Sequence, residues 1–227
     1  MNIRIGSTPE NDEVTRTDEI FDLDKYEDLL TIRYFNLEHG SHPGESIYIQ
    51  TPDGTSMLID AGSPHVDLQL VRNLQQLGIE KIDAAVSTHP HSDHIGGFPL
   101  VLKAFEVGKL YMPEVYNDRF YYHDLMDALE QEEVSYEYVE AGTVFELGED
   151  VTVEILHPEE GVLPDAAAAI EEEWQINYFS LVLKVTYKDT SFLFTGDIFS
   201  KQELELVDKK GDQLQADFLH VPHHGNA

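Results

Sequence analysis

The chain has 227 residues, which suits one large domain and allows most of the surface of the unfolded chain to be buried on folding. Its 44 acidic and 14 basic residues give a formal net charge of −30, which repels polyanions and argues against a groove for duplex nucleic acid. The absence of cysteine excludes disulfides and thiolate metal ligands.

No apolar run reaches the roughly 18 residues that a membrane span needs, so no membrane span is expected. Met1 is not followed by the apolar core of a signal peptide, although a mature form whose leader has been removed would have the same sequence. We expect a soluble protein, and an extracytoplasmic mature form is favoured over a cytoplasmic one. The sequence favours no oligomeric state.

Residues 1–28 are polar and acidic and lack periodic apolar positions, which predicts a flexible tail ahead of one folded domain over residues 29–227. The domain is predicted to open with strands over 31–35, 46–50 and 56–59, the last two joined by a hairpin turn. His39 and His42 lie between the first two strands, where a surface loop is favoured over a place at the mouth of a site.

Further along the chain, apolar residues at helical spacing predict an amphipathic helix over 66–77, and a buried apolar run predicts a strand over 82–86. His157 ends a later strand, and a structural role is favoured for it over metal ligation. The other predicted elements are helices over 100–105, 118–133 and 200–207, strands over 109–112, 136–139 and 217–220, hairpins of 143–147 with 151–156 and of 178–187 with 191–195, and a short exposed helix or lid over 163–174.

Residues 88–97 place three imidazoles and a carboxylate within six consecutive positions, namely His89, His91, Asp93 and His94. Neutral imidazole and carboxylate are the ligands that suit zinc and similar cations. In extended backbone, residues two apart point the same way, so His89 and His91 can hold one ion while Asp93 and His94 turn towards a second position. This pattern predicts a metal site, and a histidine-rich turn that arose by composition is the weaker alternative.

The motif His89-Pro90-His91-Ser92-Asp93-His94, with Asp60 after a strand upstream and Gly196-Asp197 downstream, resembles the metallo-β-lactamase superfamily. Segments 49–54, 58–60, 179–183, 195–197 and 222–225 are similar to the hydrolase domain of the competence DNA-uptake protein ComEC and its free-standing relatives. The resemblance implies an α/β fold, an αββα sandwich of two mixed sheets with outer helices and a site at one edge.

The resemblance also implies the roles of the site residues. Asp197 is expected to bridge two ions, Asp60 to be a buried carboxylate that braces the metal loop, and His223 or His224 to complete the first ion's ligands. We take His223 as that ligand and His224 as a catalytic donor to the leaving oxygen, with Asp93 as a second catalytic residue that orients the attacking water. The expected metal ligands are His89, His91, Asp93, His94, Asp197 and His223, and the expected cofactor is zinc, with two ions possible and manganese as the alternative.

The predicted function is hydrolysis by a hydroxide that one or two metal ions activate, on a phosphoester or phosphodiester bond of a small molecule or a strand end. Duplex DNA is expected to bind weakly or not at all. Hydrolysis of a lactone, thioester or β-lactam, and a metal-binding module without catalysis, are the alternatives. ComEC-like domains continue beyond the His-His-Gly turn to a late histidine, so the C-terminal part of the fold is expected to be incomplete in this sequence.

Overall fold

The computed structural model describes residues 26, 28–39, 42–163 and 170–225, without the side chains of residues 38, 39, 42 and 43. The tail predicted for residues 1–28 lies almost entirely outside the described residues, as does half of the segment predicted as a short helix or lid over 163–174. The backbones of His39 and His42 pair with each other in a small hairpin, but their side chains are not described.

Strands occur along the whole of the described sequence. They are β1 (Thr31–Tyr34), β2 (Leu37–His39), β3 (His42–Gly44), β4 (Ile47–Gln50), β5 (Ser56–Ile59), β6 (Lys81–Val86), β7 (Glu106–Met112), β8 (Ser135–Tyr138), β9 (Val144–Leu147), β10 (Val151–His157), β11 (Val182–Tyr187), β12 (Thr190–Phe194) and β13 (Phe218–Leu219).

These strands form two mixed sheets. The six-stranded sheet has the order β1-β4-β5-β6-β7-β8, antiparallel from β1 to β5 and parallel from β5 to β8. The five-stranded sheet has the order β13-β12-β11-β10-β9 and is antiparallel except where β13 runs parallel to β12. Parallel pairs need a crossover connection, and helices supply it in this chain.

The helices lie on the outer faces of the sheets. They are α1 (Asp67–Gln76), α2 (Ser92–Ile95), α3 (Phe98–Ala104), α4 (Phe120–Gln131) and α5 (Ser200–Lys210).

Alternation along the strands sends neighbouring side chains to different layers, as the period of two requires. In β4, Ile47 and Ile49 join the core between the two sheets, whereas Tyr48 joins the core under helices α1, α3 and α4. On the other side of the molecule, Leu193 of β12 packs with Leu206 of α5. The order helix, sheet, sheet, helix is the αββα sandwich, so the predicted fold class is confirmed.

The topology gathers several strand ends at one edge. Strands β5 and β6 are parallel, so the turn after β5 and the histidine loop after β6 leave the sheet together. Strands β12 and β13 are also parallel, so Asp197 and the 222–225 turn leave the other sheet together. This edge therefore receives every segment that carries a predicted ligand.

The structure corrects two of the predicted elements. The helix predicted over 100–105 begins two residues earlier, as α3 from Phe98, and a short helix that the sequence did not predict, α2, lies within the histidine loop before it. Gly97, between the two helices, packs directly on the turn after β5. The strand predicted to begin at residue 178 begins at Val182, because Glu173–Phe179 forms a 3-10 helix. Glu172 and Gln175 cap that helix reciprocally, which fixes its start.

Candidate metal centre

The histidine loop is fixed by backbone hydrogen bonds to two neighbouring segments. The carbonyl of Asp93 accepts from the amide of Glu45 at 3.0 Å, and the carbonyl of His94 accepts from the amide of Ala61 at 2.7 Å. A Cβ on Gly97 would lie 2.1 Å from the carbonyl oxygen of Ala61, so only glycine fits there. The loop is thus held against the turn after β5 and the segment before β4.

His89 and His91 direct one ring nitrogen each towards the other, with His89 Nε2 3.0 Å from His91 Nδ1. His91 Nε2 lies 2.9 Å from the backbone carbonyl of Glu173, which can only accept. The hydroxyl of Thr88 donates to Asp60 at 2.7 Å, so it accepts from His89 Nδ1 at 3.0 Å. These partners fix the ring protons and leave His89 Nε2 and His91 Nδ1 with free lone pairs.

Asp60 is fully buried directly after β5 and holds His94 from behind. Its Oδ1 accepts from the amide of Thr88 at 2.8 Å, and its Oδ2 lies 2.8 Å from His94 Nδ1. The other nitrogen, His94 Nε2, lies 3.2 Å from Asp197 Oδ2. A carboxylate behind a histidine in this way sets the orientation of the ring, the usual role of an outer partner at metal sites.

Asp197 stands at the centre of the cluster. Its Oδ2 lies 3.2 Å from His94 Nε2, 3.3 Å from His224 Nε2 and 3.9 Å from His89 Nε2. Asp93 Oδ2 lies 3.4 Å from His224 Nε2 and 3.8 Å from His94 Nε2. One side-chain atom each from Asp93, His94, Asp197 and His224 therefore lies within 4.8 Å of the others.

Glu45 is absent from the set of site residues that the sequence predicts, yet it holds His224 as Asp60 holds His94. Its Oε2 lies 3.4 Å from His224 Nδ1 and 3.5 Å from His220 Nε2, and its side chain is only 10% exposed. The strand pairing could have indicated Glu45 as a site residue. Strand β4 runs antiparallel to β5, so the residues before β4 lie beside Asp60 at the site edge.

The other candidate histidines lie outside this cluster. His223 donates its amide to Gly196 at 3.1 Å, and its ring contacts Phe199 at a centroid distance of 4.9 Å. His157 Nε2 lies 2.9 Å from the backbone carbonyl of Tyr178, so its ring supports the chain there. Of the pair at the 222–225 turn, the structure thus brings His224 and not His223 into the cluster.

Comparison with known proteins gives the fold and the cluster a family. The sequence profile of the Metallo-beta-lactamase superfamily matches residues 40–169, more than half of the chain and including the whole histidine loop. This chain belongs to the metallo-beta-lactamase superfamily. The match ends before Asp197 and His224, so their place in the site rests on the structure.

Two curated relatives, both competence proteins of the ComEC type, support the ComEC-like subfamily. The chain is 31% identical to ComE operon protein 3 of Bacillus subtilis (strain 168) over 157 residues, which cover 69% of this chain and 19% of that protein. It is 28% identical to the competence protein ComA of Neisseria gonorrhoeae over 186 residues, which cover 81% of this chain and 22% of that protein. The chain spans about a fifth of the length of these relatives.

Solved structures agree on the metallo-beta-lactamase fold. YhfI from Bacillus subtilis aligns with a TM-score of 0.54 at 15% identity and covers 85% of this chain and 70% of its own. A metallo-beta-lactamase from Cronobacter sakazakii aligns with a TM-score of 0.53 at 15% identity and covers 84% of this chain and 69% of its own. Among the residues that the structure describes, no helix is both long and apolar enough to cross a membrane.

The histidines in the site of this metallo-beta-lactamase superfamily chain fall into two groups, one with lowered and one with raised pKa values. Burial, followed by the neighbouring rings of His94 and His91, holds the pKa of His89 well below 6.5. Burial also disfavours a charged His94, but Asp60 and Asp197 outweigh it and hold its pKa well above 6.5. Contacts with Asp197, Asp93 and Glu45 raise the pKa of His224 to about 11.

The carboxylates respond in the opposite sense. Burial raises the pKa of Asp93 and of Asp197, but the surrounding histidines prevail and both pKa values fall below 3.8. The same balance, with His220 and His224 as the partners, lowers the pKa of Glu45. Three carboxylates with lowered pKa values in a largely buried cluster require positive charge nearby, which protonated histidines or bound cations can supply.

The residues present fit divalent metal ions. Asp197 Oδ1 is buried and has no hydrogen-bond partner among the residues that the structure describes, an arrangement that is costly for a carboxylate oxygen. Each cluster histidine also has one nitrogen held by a protein group and the other turned inward. Unpaired carboxylate oxygen and oriented imidazole nitrogen are the donor set of a zinc or manganese site.

Proposed function

We propose that this chain is a metal-dependent hydrolase of phosphoester or phosphodiester bonds. The observation that carries the proposal is the convergence of four oriented imidazole nitrogens and two carboxylates at one edge of the sandwich. These groups belong to His89, His91, His94, His224, Asp93 and Asp197.

Two ion positions account for the directions of these side chains. His89 Nε2 and His91 Nδ1 would hold the first ion, since these nitrogens face each other. A second set, made of Asp93, His94 Nε2 and His224 Nε2, would hold the other ion. Asp197 lies between the two sets and would be shared, because a carboxylate offers two oxygens.

This assignment moves the ligand role from His223 to His224. His224 Nδ1 faces Glu45, so only Nε2 is directed into the cluster, and one nitrogen cannot both bind an ion and donate a proton. We therefore assign His224 to the second ion rather than to donation to the leaving oxygen. His223 remains outside, against Phe199.

Divalent ions bound here would lower the pKa of a coordinated water and offset the negative charge that develops on the attacked group. Asp93 is one-third exposed, the most open of the cluster carboxylates, and its low pKa keeps it ionised. It is therefore suited to accept a hydrogen bond from the attacking water and to orient it. His224 is similarly exposed, so the two residues mark the side from which substrate approaches.

The choice of a phosphoester comes from the similarity to competence proteins of the ComEC type, and the chain's charge limits the size of the substrate. With a net charge of −30, the protein lacks the clustered cations that release counter-ions from a duplex. A small phosphoester or an accessible strand end is therefore preferred over long duplex DNA.

The test is a panel assay with protein reconstituted with zinc or manganese. The substrates are bis-p-nitrophenyl phosphate, p-nitrophenyl phosphate, a single-stranded oligonucleotide, a long duplex and a lactone. We expect metal-dependent hydrolysis of the phosphoesters and the oligonucleotide, with little digestion of the long duplex. Turnover of the lactone alone, or no turnover by protein that holds its metal, would contradict the proposal.

Two variants make the assay specific to the cluster. Asp197→Ala is expected to lower turnover more than tenfold, because a shared carboxylate acts on both ions, while the melting temperature of the metal-free protein is retained. Asp208→Ala, on the exposed helix α5, is the matched control and is expected to keep parental turnover. Equal activity of the two variants would refute the role of Asp197.

A further inference from the structure

A row of aromatic rings leads from the metal centre to the surface. His223 contacts Phe199 at a centroid distance of 4.9 Å, and Phe199 contacts Tyr178 at 5.6 Å and Trp174 at 6.2 Å. Trp174 and Tyr178 contact each other at 5.5 Å. We call these four residues the aromatic platform.

The platform begins where the cluster opens to solvent. The ring of His223 lies 6.1 Å from the ring of His224, whose own side chain is 33% exposed. Phe199 follows Asp197 by two residues on the same turn after β12. The rings therefore start one side chain away from the proposed second ion and extend outward from it.

The outer end of the platform is also tied to the site. Trp174 follows Glu173, whose carbonyl lies 2.9 Å from His91 Nε2. The carboxylate of Glu173 accepts hydrogen bonds from Arg119 and from the hydroxyl of Tyr121, both near the start of α4. The backbone that carries Trp174 is thus anchored to the metal loop and to a helix, so the ring has a defined position relative to the cluster.

The platform leaves apolar surface uncovered. Trp174 is 51% exposed, although burial of a large apolar side chain stabilises a fold. Tyr178 and Phe199 are partly buried beside it. An exposed ring that is fixed beside the cluster of proposed metal ligands offers a stacking surface for a planar group, and bases stack favourably on aromatic rings.

Charge favours stacking over phosphate contacts at this place. The net charge of −30 opposes long-range attraction of a phosphate chain, whereas ring stacking does not depend on it. One cation does lie beside the platform, since Lys201 Nζ is 5.8 Å from the centroid of Tyr178. The surface thus combines apolar ring faces with a positive charge beside Tyr178.

We propose that Trp174, Tyr178 and Phe199 bind a planar aromatic group of the substrate, of the nucleobase type, beside the bond that is cut. This inference rests on the proposed phosphoester hydrolysis and adds the chemical class of the group that flanks the scissile phosphate. It also explains how a negatively charged protein can bind a negatively charged substrate.

Binding can be measured without turnover because Trp174 is the only tryptophan of the chain. Metal-loaded protein is titrated with adenosine, which carries no phosphate, and with ribose as the control, with excitation at about 295 nm to limit absorption by the base. We expect saturable quenching of tryptophan fluorescence by adenosine and none by ribose. Equal responses to both compounds, or none to either, would overturn the proposal.

A pair of substrates with one leaving group tests the same site in catalysis. These are the p-nitrophenyl ester of thymidine 5′-phosphate and methyl p-nitrophenyl phosphate. Trp174→Ala is expected to raise KM for the thymidine ester about tenfold with little change in kcat, to leave the methyl ester unaffected, and to keep full metal content. Trp174→Phe should retain most of the preference, and Tyr187→Ala, at the far end of β11, should retain all of it.

The outcomes distinguish a failure of the aromatic binding site from a failure of the proposed hydrolase function. If both esters are hydrolysed and Trp174→Ala changes their KM equally, the aromatic site is refuted and the hydrolase stands. If adenosine quenches the fluorescence but neither ester is turned over by metal-loaded protein, the binding site stands and phosphoester hydrolysis is refuted.

Discussion

At the scale of single residues, the cluster is organised by what lies behind each histidine. Asp60 and Glu45 lie behind His94 and His224, and the pKa values of these two rings are raised. A hydroxyl and a carbonyl lie behind His89 and His91, whose pKa values are lowered. The protein therefore sets the orientation of all four rings before an ion binds. This reduces the side-chain conformational entropy that is lost when the ion binds.

Glu45 gives the clearest test at this scale. Glu45→Gln removes the charge behind His224 while preserving size, and we expect the affinity for the second equivalent of metal to fall about tenfold, as for other outer partners. Glu45→Asp should retain part of the affinity. Titration of metal-free protein with zinc, followed by calorimetry, gives both constants.

The control for this prediction is Glu149→Gln, which removes a carboxylate from an exposed turn. It is expected to bind both equivalents with parental affinity. If Glu45→Gln binds as tightly as this control, Glu45 does not position His224.

Part of the site follows directly from the sequence, because His89, His91, Asp93 and His94 are adjacent in the chain and their spacing alone brings them together. Glu45 is not predicted, since its contact with His224 joins residues that are 179 positions apart and depends on the pairing of both sheets. The sequence also does not predict which of His223 and His224 faces the cluster. Both have positive φ, 49° and 53°, and such a turn does not follow a simple alternation.

At the scale of elements, most strands and the longer helices α1, α4 and α5 are well predicted, and the short elements between them are not. Alternating apolar residues in β10 and the apolar run in β6 give the strands directly, because each strand buries a face. The 3-10 helix Glu173–Phe179 is not predicted, because its start depends on the local capping bonds of Glu172 and Gln175. The short helix α2 is also not predicted, and the break between it and α3 coincides with a tertiary contact at Gly97.

That contact gives a prediction for the element. Gly97→Ala would place a Cβ against the carbonyl of Ala61 and separate the histidine loop from the turn after β5. Overpacking of this kind costs about 1–3 kcal/mol, and we expect a lower melting temperature together with weaker metal binding. Thermal unfolding with and without zinc measures both effects.

Lys103→Ala provides the comparison for this variant, because it lies on the exposed face of α3. It should leave the melting temperature and zinc binding close to those of the parent chain. Unchanged behaviour of Gly97→Ala as well would show that the close approach at Ala61 does not position the loop.

At the scale of the whole molecule, the net charge of −30 sets the conditions for stability. Repulsion among like charges destabilises the compact state, and salt shortens its range from about 10 Å at 0.1 M to about 3 Å at 1 M. Stability should therefore rise with salt over this range. For a chain of this size, each kcal/mol of added stability raises the melting temperature by about 2–4 °C.

Thermal unfolding in potassium chloride, with the metal removed by a chelator, measures this effect. Replacement of Glu130, Glu132 and Glu133 by Gln removes three exposed negative charges and should reduce the dependence on salt. A melting temperature that falls or stays constant between 0.1 and 1 M salt would show that charge repulsion does not govern stability.

The most direct test of the metal centre is the stoichiometry of zinc or manganese binding to metal-free protein, measured by calorimetry and elemental analysis on the parent chain and on two neighbouring variants. The account predicts two equivalents for the parent, two for His223→Ala and one tightly bound equivalent for His224→Ala, because only His224 faces Asp93 and Asp197. Absence of metal binding by the parent chain, or loss of an equivalent in His223→Ala but not in His224→Ala, would contradict it.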